Sequence, residues 1–222
     1  SERGLQMKEI IVSPSILSAD FTNIKTAIEE IENSGAQWIH CDIMDGVFVP
    51  NISFGQKMVG DVRKNTKLVV DAHLMIVNPG RYVEEFAKNG ADYITIHYEA
   101  CDNVSETLSL IKKCGCKAGL AIKPSTEIDV VAPFLDNMDM MLIMSVEPGF
   151  SGQKFKQETL GKMRRFVNMR GGRNIVIQGD GGINGDNASA IVGAGCDCLV
   201  AGNAFFKSAD KKQTVARLKG LI

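Results

Sequence analysis

Along the 222-residue chain, apolar runs rich in β-branched residues recur eight times, each followed by an amphipathic stretch. The predicted strands are Ile10–Leu17, Trp38–Asp45, Leu68–Met75, Tyr93–Glu99, Ala118–Lys123, Met140–Val146, Asn174–Asp180 and Cys198–Gly202. The intervening segments read as helices. Phe21–Asn33 sets Ile24, Ile28 and Ile31 on one face and leaves Glu29, Glu30 and Glu32 largely on the other. Asn78-Pro79 is a start signal ahead of Arg81–Asn89, with Gly90 as its stop, and Asn103–Cys114 stops at Gly115 in the same way. Phe155–Arg170, Asn184–Gly193 and Asp210–Leu221 complete the series. Eight strand–helix units in this length fit a closed parallel (β/α)8 barrel, a TIM barrel. An open doubly wound sheet usually has fewer strands and a glycine-rich turn after the first one. Here the first strand runs into Ser15-Ile16-Leu17-Ser18-Ala19-Asp20, which has no glycine.

Composition narrows the function classes. Hydrophobic residues make up 45% of the chain and charged residues 23%, enough apolar material for one sizeable core. The formal net charge of -1, without a basic run, argues against a nucleic-acid surface. No apolar run approaches the roughly eighteen residues of a membrane span. The six cysteines lack C-x-x-C spacing and read as reduced thiols, consistent with a cytoplasmic protein. Ser1–Gln6 read as an expression-tag remnant, which leaves residues 7–222 for a single catalytic barrel.

In such a barrel the chemistry sits where strands end in loops. With a strand period of two, His40, Asp42 and Met44 share one face, and Asp71, His73 and Met75 share another. The seventh strand ends in Gln178-Gly179-Asp180. A lone barrel histidine is more often a hydrogen-bonded core residue, and an aspartate beside a turn more often a cap. Two imidazoles and two carboxylates on one ring are harder to dismiss, because burying them unpaired would cost several kcal/mol per charge. His40, Asp42, His73 and Asp180 therefore read as ligands of one divalent cation. Mixed nitrogen and oxygen donors favour Zn2+ or Fe2+, with Mn2+ or Co2+ also compatible. Asp71 has two readings, as a partner of a ligand histidine or as a plain interior residue. Met44, Met75 and Met144 read equally as core packing or as a water-excluding floor to the site.

A phosphate site is suggested next to it. Gly149, Phe150, Ser151 and Gly152 follow the sixth strand, Gly181 and Gly182 the seventh, and Gly202 and Asn203 the eighth. Glycines let backbone N–H groups approach an anion, and barrels commonly hold phosphate at their last loops.

These segments resemble a known family. Ser13–Phe21, His40–Gly46, Phe48–Asn51, Asp71–Met75, Met144–Gln153 and Asp180–Asn184 are similar, in order, to the motifs of ribulose-phosphate 3-epimerases. The resemblance implies a barrel of the ribulose-phosphate-binding type. It implies interconversion of D-ribulose 5-phosphate and D-xylulose 5-phosphate, as in the pentose phosphate pathway, with Asp42 as proton acceptor and Asp180 as proton donor. Ser15 and His73 would contact the substrate, and the three glycine loops would hold its phosphate end. Family members often self-associate, so a homo-oligomer is expected. Two positions depart from the family pattern: Gln178-Gly179 stands where Glu-Val is usual, and Ser151 where glycine is commoner. Rival readings are a D-allulose-6-phosphate 3-epimerase, a metal-free decarboxylase-type barrel and a non-catalytic barrel that binds a phosphorylated metabolite. The decarboxylase type carries Asp-x-Lys-x-x-Asp on strand three, whereas Asp71-Ala72-His73-Leu74-Met75-Ile76 has no lysine.

Overall fold

A computed structural model describes residues 9–222, so the reading of Ser1–Gln6 falls outside the described residues. The eight expected strands are all present: β1 Ile11–Pro14, β2 Trp38–Met44, β3 Val69–Met75, β4 Tyr93–His97, β5 Lys117–Ile122, β6 Met140–Met144, β7 Val176–Asp180 and β8 Cys198–Ala201. Every ladder is parallel, in the spatial order β1-β8-β7-β6-β5-β4-β3-β2. Between β1 and β2 the ring is closed by a parallel bridge from Ser15 to His40 and by the Gln37 N–H donating to the Val12 carbonyl at 3.2 Å. The result is the (β/α)8 barrel.

Alternation along each strand divides the side chains between two cores. Residues such as Ile39, Cys41, Ile43, Val70, Ala72 and Leu74 point outward and pack under the helices, where they meet Ile28, Ile31, Val59, Val62 and Phe86. Full burial of each such side chain contributes about 1.5–3 kcal/mol. The inward set is layered. Trp38, Met140 and Cys198 form an apolar floor with Ile11, Val69, Tyr93 and Val176 packed against them. Above that floor the interior turns polar, and there the site lies.

The helices are α1 Ile24–Ser34, α2 Gln56–Asn65, α3 Val83–Lys88, α4 Val104–Lys113, α5 Thr159–Arg170, α6 Ala188–Gly193, α7 Asn203–Phe206 and α8 Lys211–Leu218. Several elements are shorter than the pattern suggests, each for a local reason. β1 stops at Pro14 because the Ser15 hydroxyl accepts from the Leu17 N–H and turns Ile16–Ser18 into a 3-10 helix. α6 starts at Ala188 rather than Asn184, since the Asn184 side chain accepts from the Asp186 and Asn187 N–H groups and makes a turn instead. After β5 the chain forms a 3-10 helix, Ile128–Phe134, with Pro133 inside it, and a proline N carries no hydrogen to donate.

Candidate metal and sugar-phosphate site

β2 and β3 run in register, which sets Asp42 beside His73 and His40 beside Asp71. Asp180 ends β7 across the barrel. Its backbone is fixed by Ser145, whose N–H donates to the Asp180 carbonyl at 2.8 Å and whose buried hydroxyl reaches the Asp180 and Gly181 carbonyls at 2.8 and 2.7 Å.

Four donor atoms converge, all within 4.8 Å of one another: one each from His40, Asp42, His73 and Asp180. His40 Nε2 lies 3.0 Å from Asp42 Oδ1, 3.3 Å from His73 Nδ1 and 3.5 Å from Asp180 Oδ2. His73 Nδ1 lies 2.8 Å from Asp42 Oδ1 and 3.5 Å from Asp180 Oδ2. A cation with metal–ligand bonds of about 2.1 Å spaces adjacent ligands by about 3.0 Å at right angles and about 3.4 Å at tetrahedral angles. The donor set and its spacing therefore fit a divalent metal.

The surroundings orient these ligands. His40 Nδ1 lies 2.7 Å from Asp71 Oδ2, so Asp71 pairs with one of the two histidines of the cluster and is not a plain interior residue. Gln178 Nε2 donates to the same Asp71 oxygen at 2.7 Å. The amide that replaces the family's usual acid thus acts on Asp71, one interior layer below Asp180. Gly179 faces the helix layer, where a Cβ would lie 3.2–3.3 Å from Cys196, Met163 and Ile183, and the β7 ladder stays paired on both sides of it. Ser15 donates to Asp42 Oδ2 at 2.6 Å.

The electrostatics follow from burial and charge. Burial alone would depress the His40 imidazolium, but the Asp42 and Asp71 charges and the carboxylate hydrogen bonds overcome it and raise His40 well above its ordinary value. His73 is raised more modestly, its burial outweighed by bonds to Asp180 and Asp42. Both aspartates would be pushed up by burial, yet the two histidines hold them below the usual carboxylate range.

Above the cluster lies a cavity of 580 Å³. Ser15, Asp42, Met44, Met75, Met144 and Asp180 line its inner end, and Gly149–Gly152, Gly181, Gly182, Gly202 and Asn203 line its outer wall. His40 and His73 are fully buried and form no part of that lining. Gly182 is at φ +66, and a Cβ there would come within 2.4 Å of the Phe155 backbone nitrogen. No side chain fits at that point, which keeps the backbone of this loop close to the cavity.

Two residues near the cluster escaped notice in the sequence, His97 and Glu99. His97 Nε2 lies 2.8 Å from His73 Nε2, and His97 Nδ1 lies 3.1 Å from Glu99 Oε2. Burial keeps His97 neutral, lowered to about 4, and Glu99 ionised, lowered to about 2 against its own burial by the bonds from His97, Lys123 and Thr126. The signal was the period-two row Thr95, His97, Glu99, which begins on β4 and ends in the 3-10 turn just after it.

Residues 11–206 match the sequence model of the ribulose-phosphate 3 epimerase family. The chain is 43% identical over 214 residues to ribulose-phosphate 3-epimerase of Bacillus subtilis, covering 95% of this chain and 99% of that one. It is 44% identical over 216 residues to the enzyme of that name from Synechocystis, covering 96% and 94%. Among solved structures it is similar to 3-hexulose-6-phosphate synthase of Salmonella typhimurium, with a TM-score of 0.71 at 15% identity over 96% and 98% of the two chains. At that identity the likeness extends to the fold alone.

Proposed function

The chain belongs to the ribulose-phosphate 3-epimerase family and is an isomerase acting as an epimerase on a pentose phosphate, and we propose that it interconverts D-ribulose 5-phosphate and D-xylulose 5-phosphate by proton transfer between Asp42 and Asp180 at one divalent metal. The observation that carries this reading is the convergence of His40, Asp42, His73 and Asp180 at the inner end of a cavity whose outer wall is three glycine loops.

C3 of the substrate lies next to a ketone, so loss of its proton gives an enediolate. His40, Asp42, His73 and Asp180 would hold Zn2+ or Fe2+, or else Mn2+ or Co2+, and the bound cation would supply positive charge where that oxygen charge develops. Asp42 takes the proton from one face of C3, and Asp180, which enters the cycle as the carboxylic acid, gives its proton to the other face, so the pair ends with Asp42 protonated and Asp180 ionised. In the reverse direction the two exchange roles. The Ser15 hydroxyl donates to Asp42 Oδ2 and fixes the carboxylate's orientation. Met44, Met75 and Met144 keep bulk water from the flat intermediate. Gly149–Gly152, Gly181-Gly182 and Gly202-Asn203 grip the phosphate, so binding energy is gained far from the reacting carbon.

The same reading carries a cytoplasmic location, self-association and no nucleic-acid partner, in keeping with a net charge of -1. Among the described residues no helix is long and apolar enough to cross a membrane. The test of substrate is kcat/KM on ribulose 5-phosphate against D-allulose 6-phosphate. A clear preference for the pentulose is expected, and a preference for the hexulose would replace this reading.

A further inference from the structure

The chain has three histidines, and His40, His73 and His97 all stand inside the barrel, fully buried. Two of them meet the carboxylate cluster, while His97 lies behind His73, away from it. The 2.8 Å between His73 Nε2 and His97 Nε2 leaves room for one shared proton, because two bare nitrogens or two N–H groups would repel each other. Which ring supplies that proton is decided at Glu99. Its Oε1 accepts from the Lys123 backbone N–H, a group that can only donate, and from the Thr126 hydroxyl at 2.7 Å. Its Oε2 faces His97 Nδ1. An ionised carboxylate can only accept. His97 then carries a proton on Nδ1, and with His73 Nδ1 given to a cation the shared proton is the one on His73 Nε2, which His97 Nε2 accepts. His73 Nδ1 is the atom pointing at Asp42 and Asp180: it donates to Asp42 until a cation displaces that proton and takes the lone pair. The Phe48 ring, 5.0 Å from the His97 ring, covers the row.

We infer that Glu99 and His97 are positioning residues that set the polarity of this hydrogen-bond row, committing His73 Nε2 as a donor away from the cluster and so reserving Nδ1 for a metal. The inference rests on the metal reading above, since a His73 Nδ1 bound to a cation leaves Nε2 as that ring's only donor. The Asp71–His40 pair does the same for the other ligand histidine with one link instead of two.

Glu99→Gln separates this role from simple packing. The Lys123 N–H requires the amide oxygen to take the Oε1 place, so the amide NH2 turns to His97 Nδ1 and reverses the row. His97 then carries its proton on Nε2 and pushes one onto His73 Nδ1. Long-range 15N–1H spectra of the metal-free protein near neutral pH read the His97 tautomer directly. The wild type is expected as the Nδ1–H form and Glu99→Gln as the Nε2–H form. Competition titration with zinc alone is expected to show affinity reduced about 10- to 100-fold in Glu99→Gln, the usual effect of losing a ligand's hydrogen-bond partner. An Nε2–H tautomer of His97 in the wild type would overturn the inference whatever the variant does, as would unchanged zinc affinity in a folded Glu99→Gln. A wild type that binds no zinc would refute the metal reading instead, and the tautomer would still decide the direction of the row.

Discussion

The β2–β4 side of the barrel and the β6–β8 side enclose one cavity by different means. On the first side the work is done by polar side chains paired in series: Asp71 with His40, Ser15 with Asp42, and Glu99 through His97 to His73. On the second, glycine loops and Met144 form much of the wall, with Gln153, Asn184 and Asn203 also lining it, and Asp180 is set by contacts from Ser145 to its backbone. Asp42 is held through both oxygens, whereas the Asp180 side chain is 14% exposed towards the cavity against 7% for Asp42. One half thus fixes charge by hydrogen bonds, and the other makes room by removing side chains. Damage to the two halves should have different signatures.

The largest effect is expected where the halves meet. Asp42→Asn and Asp180→Asn should each lower kcat by about 10²–10⁴-fold, the usual share of a positioned acid or base. Steady-state turnover in both directions checks this, and near wild-type turnover in either variant removes that residue from the proton transfer. Gly182→Ala forces a side chain onto the Phe155 backbone nitrogen from a left-handed conformation. It should raise KM by about tenfold or more while leaving zinc affinity close to wild type. A loss of zinc affinity equal to the loss in KM would erase the division between the halves.

Smaller effects belong to the supports. Gln178→Leu removes a donor from the buried Asp71 carboxylate, at a cost of about 1–3 kcal/mol, which thermal unfolding would show as a Tm lower by several degrees. Asp45, just beyond β2, accepts from the Val47, Phe48 and Val77 N–H groups at 2.8, 2.9 and 2.8 Å. Burial, the largest single influence, pushes its folded-state value up, but those bonds together outweigh it and lower that value. Its contribution is therefore complete above the ordinary carboxylate range and is lost as pH falls through the lowered value. Asp45→Asn cannot accept from Val77 and should cost about 1 kcal/mol at neutral pH, with the difference from wild type shrinking in acid.

What could be read from the sequence divides along the same line. The strands were legible because apolar runs bounded by glycine and proline report burial, and all eight lie where the pattern put them. His40, Asp42 and His73 were legible because polar residues at period two inside such runs are expensive unless paired. The glycine loops were legible as composition, though not that Gly182 sits against Phe155. His97 and Glu99 were not, since their role depends on β3 and β4 aligning His73 with Thr95, and on a loop after β5 that supplies Lys123 and Thr126. Asp71 had two readings until cross-strand register set it beside His40. Element ends were least legible, because a single side chain such as Ser15 or Asn184 diverts the backbone.

The central claim is that two aspartates move the C3 proton at a metal held by the β2, β3 and β7 strand ends. Its most direct test follows solvent deuterium into C3 of ribulose 5-phosphate with verified metal-free protein and with the same protein reloaded with zinc. Deuterium should enter C3 only after reloading, and Asp42→Asn and Asp180→Asn should each form labelled xylulose 5-phosphate about 10²–10⁴-fold more slowly. Full exchange in the metal-free protein would contradict the account.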